Sequence, residues 1–560
     1  MTASNKFIVQ MIVSQCRSKG IRHVVFSPGS RNAPFAISFD PVGEFKTHVI
    51  HDERVAAFFA IGIAQMLNQP VALCCTSGSA VVNYYPAITE AFYRKVPLLV
   101  ISADRPKELI NKGHGQSIMQ DAIFGNHVKE SYSFEDLPKK KLIEKQFDKQ
   151  CENGISSLFT EPKGPVHFNV HLNEPLYETT EDVSYERFKS IEKCEENLII
   201  QDRIFAQFQN KRILILCGQN SNQSNLNQIL SEFNKNTNVV VLNENTSQLN
   251  DSTFINCIDR TLNSISPEKE KEFAPDILIT IGDAIVSKRI KAFFIKHQPE
   301  LHIAVNHSDI GINIFNCLNE HYKADPTVFF KRINQNLIDR NTINFEAIWR
   351  STDLIAKDRL PGFFALDKSK TDIHIFHHLN ENLKPNDVLH MANSSVVRYM
   401  QLFDPIKSIE YHANRGTSGI DGSMSTAVGS AVASPEKNHL FVSGDISFIY
   451  DSNALWISPF PKNLKIIVID NRGGGIFRII DGPKSSPQLE TFFEAEHETS
   501  PFQIAKAYGL CVRQISDKES HEEGINKFLN QNEDQILIIR TEQKENPLAL
   551  QRFFKYLNDV

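Results

Sequence analysis

Two apolar runs near the carboxyl terminus each end in oxygen donors and glycine: Phe441-Val442-Ser443-Gly444-Asp445, and Ile466-Ile467-Val468-Ile469-Asp470-Asn471-Arg472-Gly473-Gly474-Gly475. Short runs of this kind read as buried strands. Asp445 and Asn471 lie 26 positions apart. That leaves room for a crossover helix, expected to start over Asn453 to Ile457, which would return the chain parallel to the first strand. Both donors then stand at the carboxyl ends of neighbouring strands, where open α/β sheets bind ligands. A carboxylate, an amide oxygen and a carbonyl in the glycine turn suit Mg²⁺, which takes few protein ligands and fills its octahedron with water and phosphate oxygens. Glycine also lets the backbone approach a diphosphate closely. Gly-Asp and Asn-x-Gly are equally ordinary turn chemistry; the strand context and the spacing favour the metal.

Other residues gather at strand ends. Glu53, in His51-Asp52-Glu53-Arg54, follows an apolar strand and opens a helix. It is either a carboxylate serving the helix start or a general acid–base group. Ser27-Pro28-Gly29-Ser30-Arg31, Ser102-Ala103-Asp104-Arg105-Pro106, Asn393-Ser394-Ser395-Val396-Val397-Arg398 and Asn414-Arg415-Gly416-Thr417-Ser418-Gly419-Ile420-Asp421-Gly422 each bring an arginine to such a loop. Any one could sit in a structural ion pair, as Arg105 could with Asp104. Together, Arg31, Arg105, Arg398 and Arg415 suggest a pocket for substrates with several carboxylates, which guanidinium forks grip two-pronged.

The elements that must position these residues alternate. Strands are expected at His23–Phe26, Thr47–Ile50, Val71–Cys75, Val96–Ile101 and Pro165–Val170, with helices over Phe7–Lys19, from Glu53 to Leu67 and from Ala80 to about Tyr93. A second series has strands at Ile213–Leu216, Val239–Leu242, Ile277–Ile281 and Leu301–Val305. A third has Val388–Met391, Glu410–Ala413, Leu440–Ser443, Lys465–Ile469 and Gln535–Ile539. Such alternation predicts parallel sheets covered on both faces, hence an α/β chain of three doubly wound domains, at 1–180, 195–345 and 370–560. The segment from Tyr177 to Asn197 reads as a linker and the polar stretch from Asn334 to Lys370 as a second. The first and third series look like a loose structural repeat.

Composition narrows the partners. The 560 residues carry a net charge of −6 with both signs spread widely, which favours no nucleic-acid partner. No apolar run reaches membrane-spanning length. The 9 cysteines have neither even pairing nor zinc spacing, so reduced, mostly buried thiols are expected. The opening Met1-Thr2-Ala3-Ser4-Asn5-Lys6 lacks a secretory signal pattern, and a cytoplasmic location is expected.

The Asp445 and Asn471 stretches resemble the metal–diphosphate signature of thiamine diphosphate (ThDP) enzymes. Adding Ser27 to Pro34, His51 to Ala57, Thr76 to Ala80, Ser102 to Pro106, Asn393 to Arg398, Asn414 to Gly422 and Asn471 to Phe477, the chain closely resembles one ThDP family, the 2-succinyl-5-enolpyruvyl-6-hydroxy-3-cyclohexene-1-carboxylate synthases of menaquinone biosynthesis. The resemblance implies pyrimidine-binding, central and diphosphate-binding domains. It also implies a homodimer or homotetramer with the site between subunits. It implies a carboligase transferase that decarboxylates 2-oxoglutarate and adds the succinyl carbanion equivalent 1,4 to isochorismate. Glu53 would activate ThDP by hydrogen bonding its pyrimidine nitrogen. Asp445, Asn471 and the carbonyl of Gly473 would hold Mg²⁺, with Mn²⁺ as the alternative ion. Ser394, Gly419, Ile420, Ile446, Ser447, Gly474, Ile476 and Phe477 would line the cofactor, with Ile420 as the bulky residue beneath it. Ser30, Arg31, Arg105, Gln116 and Lys288 would face isochorismate. Ser394, Arg398, Arg415 and Phe477 would surround the part derived from 2-oxoglutarate.

The sequence departs from that pattern at Gly115, where the family commonly has Asn before the glutamine, at Asp470 for a frequent Asn, and at Ser79 for Thr. Gly115 offers no side-chain amide, and the adjacent His114 reads as a solvated loop histidine. Two rivals are another ThDP-dependent 2-oxo-acid decarboxylase or carboligase, and a catalytically silent metabolite-binding protein on the same fold. The arginine set argues against the first. Glu53, Asp445 and Asn471 together argue against the second.

Overall fold

The computed structural model describes residues 2–40, 43–138, 141–181, 183, 207–219, 224–334, 344–516, 518–531 and 533–558. Every strand read from the apolar runs is present, with ends moved by up to three residues. The chain forms two compact units. The first comprises Met1–Cys194, Asn414–Lys437 and Tyr450–Leu464, and the second Glu195–Ala413, Asn438–Ile449 and Lys465–Val560.

The sheet of the first unit runs in the order Lys46–Val49, His23–Phe26, Val71–Cys75, Leu98–Asp104, Val166–His171, Glu130–Glu135. All neighbours are parallel. Central strands of such a sheet are covered on both faces and so are apolar throughout instead of alternating. Accordingly, every residue of Val71–Cys75 and Leu98–Asp104 is buried. Ile8, Ile12, Phe35 and Phe39 pack with Val24, Ile101, Phe134 and Phe168 on one face. Helix Glu53–Leu67 packs on strands His23–Phe26 and Val71–Cys75 and is crossed by helix Ser423–Ala433 at backbone contact. A Cβ added to Gly62 would lie 2.1 Å from the Thr426 carbonyl oxygen, and one on Gly429 would lie 2.1 Å from that of Phe59. Ser430 Oγ donates to the Gly62 carbonyl at 3.1 Å.

The second unit holds two sheets. One runs Val239–Asn243, Ile213–Cys217, Ile277–Ile281, Leu301–Asn306, Glu320–Lys323, all parallel. The other runs Glu410–His412, Val388–Met391, His439–Gly444, Leu464–Asp470, Ile536–Arg540, Val512–Gln514. Numbered along the chain within each sheet, this last sheet and that of the first unit share one strand order, 2-1-3-4-6-5, while the middle sheet is 2-1-3-4-5. The expected repeat is thus one of topology. In every case the order reverses between strands 1 and 3, the switch point at which doubly wound sheets leave a crevice beyond their carboxyl ends. Buried Arg260 ties helix Ile258–Asn263 to the last sheet's surroundings, donating to Asp404 at 2.9 Å, to the Leu402 carbonyl at 3.3 Å and to Asp353 at 3.1 Å.

Several expectations are corrected. No crossover helix starts at Asn453. A short helix, Asp445–Tyr450, follows the strand at once, then a 3₁₀ turn over Ser452–Trp456. Pro459 and Pro461 lack the amide hydrogens that a longer helix would need, and the Asn453 amide donates instead to Asp52 at 2.7 Å. The helix expected over Ala80 to Tyr93 is two, Ser79–Asn83 and Tyr85–Tyr93, broken where Pro86 enters. The polar stretch from Asn334 to Lys370 is no plain linker. Residues 335–343 lie outside those described, but Phe345–Asp358 and Leu360–Leu366 are helices, with Phe345 and Trp349 fully buried. Most of the linker read at Tyr177 to Asn197 also lies outside the described residues; Thr179–Thr180 pairs antiparallel with Ala3–Ser4. The edge strands Glu130–Glu135, Glu320–Lys323 and Val512–Gln514 were not anticipated, because edge positions keep polar side chains. Among the described cysteines none is paired, and most are buried. No described helix is long and apolar enough to cross a membrane.

Candidate active site

The first unit presents loops from successive strand ends. Ser27–Arg31 leaves strand 1 and packs on the loop after strand 3: a Cβ on Gly29 would lie 2.3 Å from that of Thr76, and the Arg31 amide donates to Thr76 Oγ1 at 3.3 Å. Ser27 accepts from the Tyr84 hydroxyl at 3.0 Å. Ser30 is exposed, whereas Arg31 is buried. The Arg31 guanidinium donates to the Leu172 carbonyl at 3.2 Å and pairs with Glu174 at 2.9 Å. Arg105 does not use its side chain on Asp104; it donates Nε–H to the carbonyl of Gly115 at 2.8 Å. The position that lacks a side-chain amide therefore acts through its backbone. Gln116 stands in the left-handed region at φ 52° and its backbone passes 3.1 Å from where Gly78 would carry a Cβ.

Glu53 is the first residue of its helix, but the cap is Asp52, whose Oδ1 accepts from the Val55 amide at 3.1 Å. The plain duty of a helix-start carboxylate is thus already filled. Glu53 accepts a long bond, 3.4 Å, from the Asn83 side-chain amide. In the same unit, the loop from Asn414 to Gly422 carries buried Arg415 and, at its far end, half-exposed Ile420. Gly422 takes φ 69° where Phe58 crowds it, its added Cβ falling 2.1 Å from the ring.

In the second unit, Asp445, Asn471 and Gly473 come together as expected. The Gly473 amide donates to Asp445 Oδ2 at 3.1 Å and to Asn471 Oδ1 at 3.3 Å, and the Ile446 amide donates to Asp445 Oδ1 at 2.8 Å. Burial, reinforced by Asp470, pushes the Asp445 carboxyl up to about 6, against the pull of the Ile446 amide and His497. Burial raises Asp470 as well. Two buried carboxyls held side by side resist ionisation until a cation offsets them. Gly473, Gly474 and Gly475 have no room for a Cβ, whereas one on Gly444 would meet nothing within 4 Å. The donor set is all oxygen, hard, and beside open space at a strand end. These residues therefore fit a divalent cation with a diphosphate. Phe477 packs against Gly474, Ile476 is buried and so is Ser447. Ser394 adopts φ 76°, a strain on the order of 1–3 kcal/mol typical of functional loops, and its carbonyl accepts from the Arg398 guanidinium. Lys288 begins helix Lys288–Lys296, capped by Ser287.

Sequence reasoning missed four buried residues that hold these loops. Glu90 accepts from the Gly416 amide at 2.8 Å, the Thr417 amide at 2.6 Å and Thr417 Oγ1 at 2.8 Å. Gln120 accepts from the Gly78 amide at 2.8 Å. Glu244 accepts from the Val286 amide at 2.8 Å and the Ser287 amide at 2.7 Å, fixing the entry to the Lys288 helix. Glu494 binds Arg478 two-pronged next to Phe477, while its carbonyl accepts from the Gly474 amide at 2.7 Å. Each carboxylate is otherwise one polar position in an unremarked segment.

Residues 8–123 match the family described as thiamine pyrophosphate enzyme, N-terminal TPP binding domain, and residues 393–540 match thiamine pyrophosphate enzyme, C-terminal TPP binding domain. The chain is 42% identical to a 2-succinyl-5-enolpyruvyl-6-hydroxy-3-cyclohexene-1-carboxylate synthase of Flavobacterium johnsoniae, over 98% of this chain and 99% of that protein. It is 40% identical to one of Flavobacterium psychrophilum, over 98% of each. It is 32% identical to one of Phocaeicola vulgatus, over 99% of each.

Proposed function

The chain belongs to the 2-succinyl-5-enolpyruvyl-6-hydroxy-3-cyclohexene-1-carboxylate synthase family, and from that premise we propose that it joins a succinyl unit taken from 2-oxoglutarate to isochorismate in menaquinone biosynthesis. The observation that carries the reading is the meeting of Asp445, Asn471 and Gly473 at strand ends; family membership supplies the substrates. Thiamine diphosphate, when bound, supplies the electron sink for decarboxylation of a 2-oxo acid. Asp445, Asn471 and the Gly473 carbonyl hold Mg²⁺, with Mn²⁺ able to replace it. Ser394, Gly419, Ile420, Ile446, Ser447, Gly474, Ile476 and Phe477 line the cofactor, with Ile420 as the bulky residue beneath it. Glu53, relieved of capping by Asp52, moves a proton at the pyrimidine nitrogen.

Both substrates are dicarboxylates, and planar guanidinium forks fix such groups in orientation. Arg31, Arg105, Ser30, Gln116 and Lys288 orient isochorismate; Arg398 and Arg415 orient 2-oxoglutarate. The hold of Glu90 on the Arg415 loop and of Glu244 on the Lys288 helix supports these assignments. Three domains at 1–180, 195–345 and 370–560, working in the cytoplasm as a homodimer or homotetramer with sites between subunits, complete the proposal; family resemblance supports it.

The test is turnover of 2-oxoglutarate plus isochorismate with added ThDP and Mg²⁺, following isochorismate loss. Consumption that needs both substrates and the cofactor is expected. ThDP binding without isochorismate loss would reduce the protein to a simpler 2-oxo-acid decarboxylase.

A further inference from the structure

We propose that helix Asp372–Asn382 carries a separate site for a divalent transition ion such as Zn²⁺, formed by His377, His378 and Glu381. Glu381 lies four positions after His377 and three after His378, so the two rings flank one carboxylate. His377 Nε2 stands 3.6 Å from Glu381 Oε1, and His378 Nδ1 stands 3.7 Å from Glu381 Oε2. The three ligand atoms all lie within 4.8 Å of one another.

These approaches are not hydrogen bonds, being too long, and His378 Nδ1 is buried without a hydrogen-bond partner. A buried polar atom left so costs its full desolvation. A neutral imidazole offers the lone pair that a metal requires. Phe364 stacks on the His377 ring, with centroids 3.8 Å apart and planes 7° from parallel, so its direction is set in advance. Bonds of about 2.1 Å place tetrahedral ligand atoms about 3.4 Å apart, a small closure from the separations observed.

The site borders a cleft of about 710 Å³ walled also by His374, Phe403 and His521, which leaves space for water to complete the coordination. His374 is not a further ligand: its nitrogens are engaged by Thr371 Oγ1 at 3.0 Å and the Asp367 carbonyl at 2.9 Å. Two imidazoles and a carboxylate select zinc, nickel or copper, whereas the all-oxygen set at Asp445 selects magnesium or manganese. The two sites should therefore load independently.

The test is calorimetric titration of Zn²⁺ into holoenzyme already saturated with ThDP and Mg²⁺. One further equivalent is expected. Glu381→Gln, at a half-exposed position with little risk to folding, and His378→Ala should each weaken it at least about tenfold, the cost seen even for outer-shell losses. Turnover in saturating Mg²⁺ should not change. Absence of a further equivalent, or an isotherm the same in both variants as in the parent protein, would overturn the site.

Discussion

Asp52 and Glu53 divide two duties that a helix start often gives to one carboxylate. Asp52 caps, and Asp52→Ala should cost about 1 kcal/mol of stability. Glu53→Gln should bind ThDP normally, as read by quenching of intrinsic fluorescence, yet lose turnover by roughly 100-fold or more, the scale of general acid–base catalysis; near-normal turnover would remove Glu53 from that role. Arg398→Ala should raise the KM for 2-oxoglutarate about tenfold or more, since a hydrogen bond to a charged group contributes about 1.5–3 kcal/mol. Steady-state kinetics with each substrate varied in turn would show it, and an unchanged KM would move Arg398 outside the site. Glu90→Gln retains the shape but loses the charge that two amides and a hydroxyl point at. It should lower kcat/KM along with the melting temperature, whereas Asp52→Ala should move melting alone. The motif residues were legible because glycine and charge at a strand end are visible in one stretch of sequence. Glu90, Gln120 and Glu244 were not, because they meet backbone amides in segments far away along the chain, and Glu494 was not, because its pairing with Arg478 depends on how the intervening loop folds back.

Among the elements, buried parallel strands announced themselves as unbroken apolar runs, and three edge strands with polar faces, Glu130–Glu135, Glu320–Lys323 and Val512–Gln514, did not. Broken helices were likewise hidden: Pro86 was plain to see, but its effect on Tyr84 and Tyr85 depends on where the helix packs. Sequence gave no hint that helices Glu53–Leu67 and Ser423–Ala433 meet at Gly62 and Gly429, since the pairing joins distant segments. Their contact leaves no space for a methyl group. Gly62→Val should therefore force the helices apart at a cost of about 1–3 kcal/mol or more, seen as a lower denaturant midpoint. An unchanged midpoint would mean that the crossing is looser than described.

For the whole molecule, buried histidines set the acid limit. Burial pushes His23, His48, His302 and His521 down to about 4, below the ordinary value of about 6.5. As pH falls below that value the unfolded chain takes up protons that the folded chain refuses, so stability falls. Asp372 and Asp451, pushed up by burial to about 7 and about 6, act in the opposite sense: they favour the folded state at low pH and lose that contribution as pH rises from about 4. The downward histidine shifts are together larger than the upward shifts of Asp372, Asp451 and Asp445, so the melting temperature of the ligand-free protein should peak near about pH 6.5 and drop toward pH ~4.5. A profile flat over that range would contradict the balance. The alternation of elements made three parallel sheets legible, but not that the first unit borrows Asn414–Lys437 and Tyr450–Leu464 from far along the chain. That borrowing has a consequence for biosynthesis. At roughly 5–20 residues per second, a ribosome that has finished the amino-terminal sheet works on for some tens of seconds before the last borrowed segment emerges. Until helix Ser423–Ala433 emerges, the glycine-bearing face of helix Glu53–Leu67 lacks its cover, and a nascent chain in this state is a natural client for a holding chaperone.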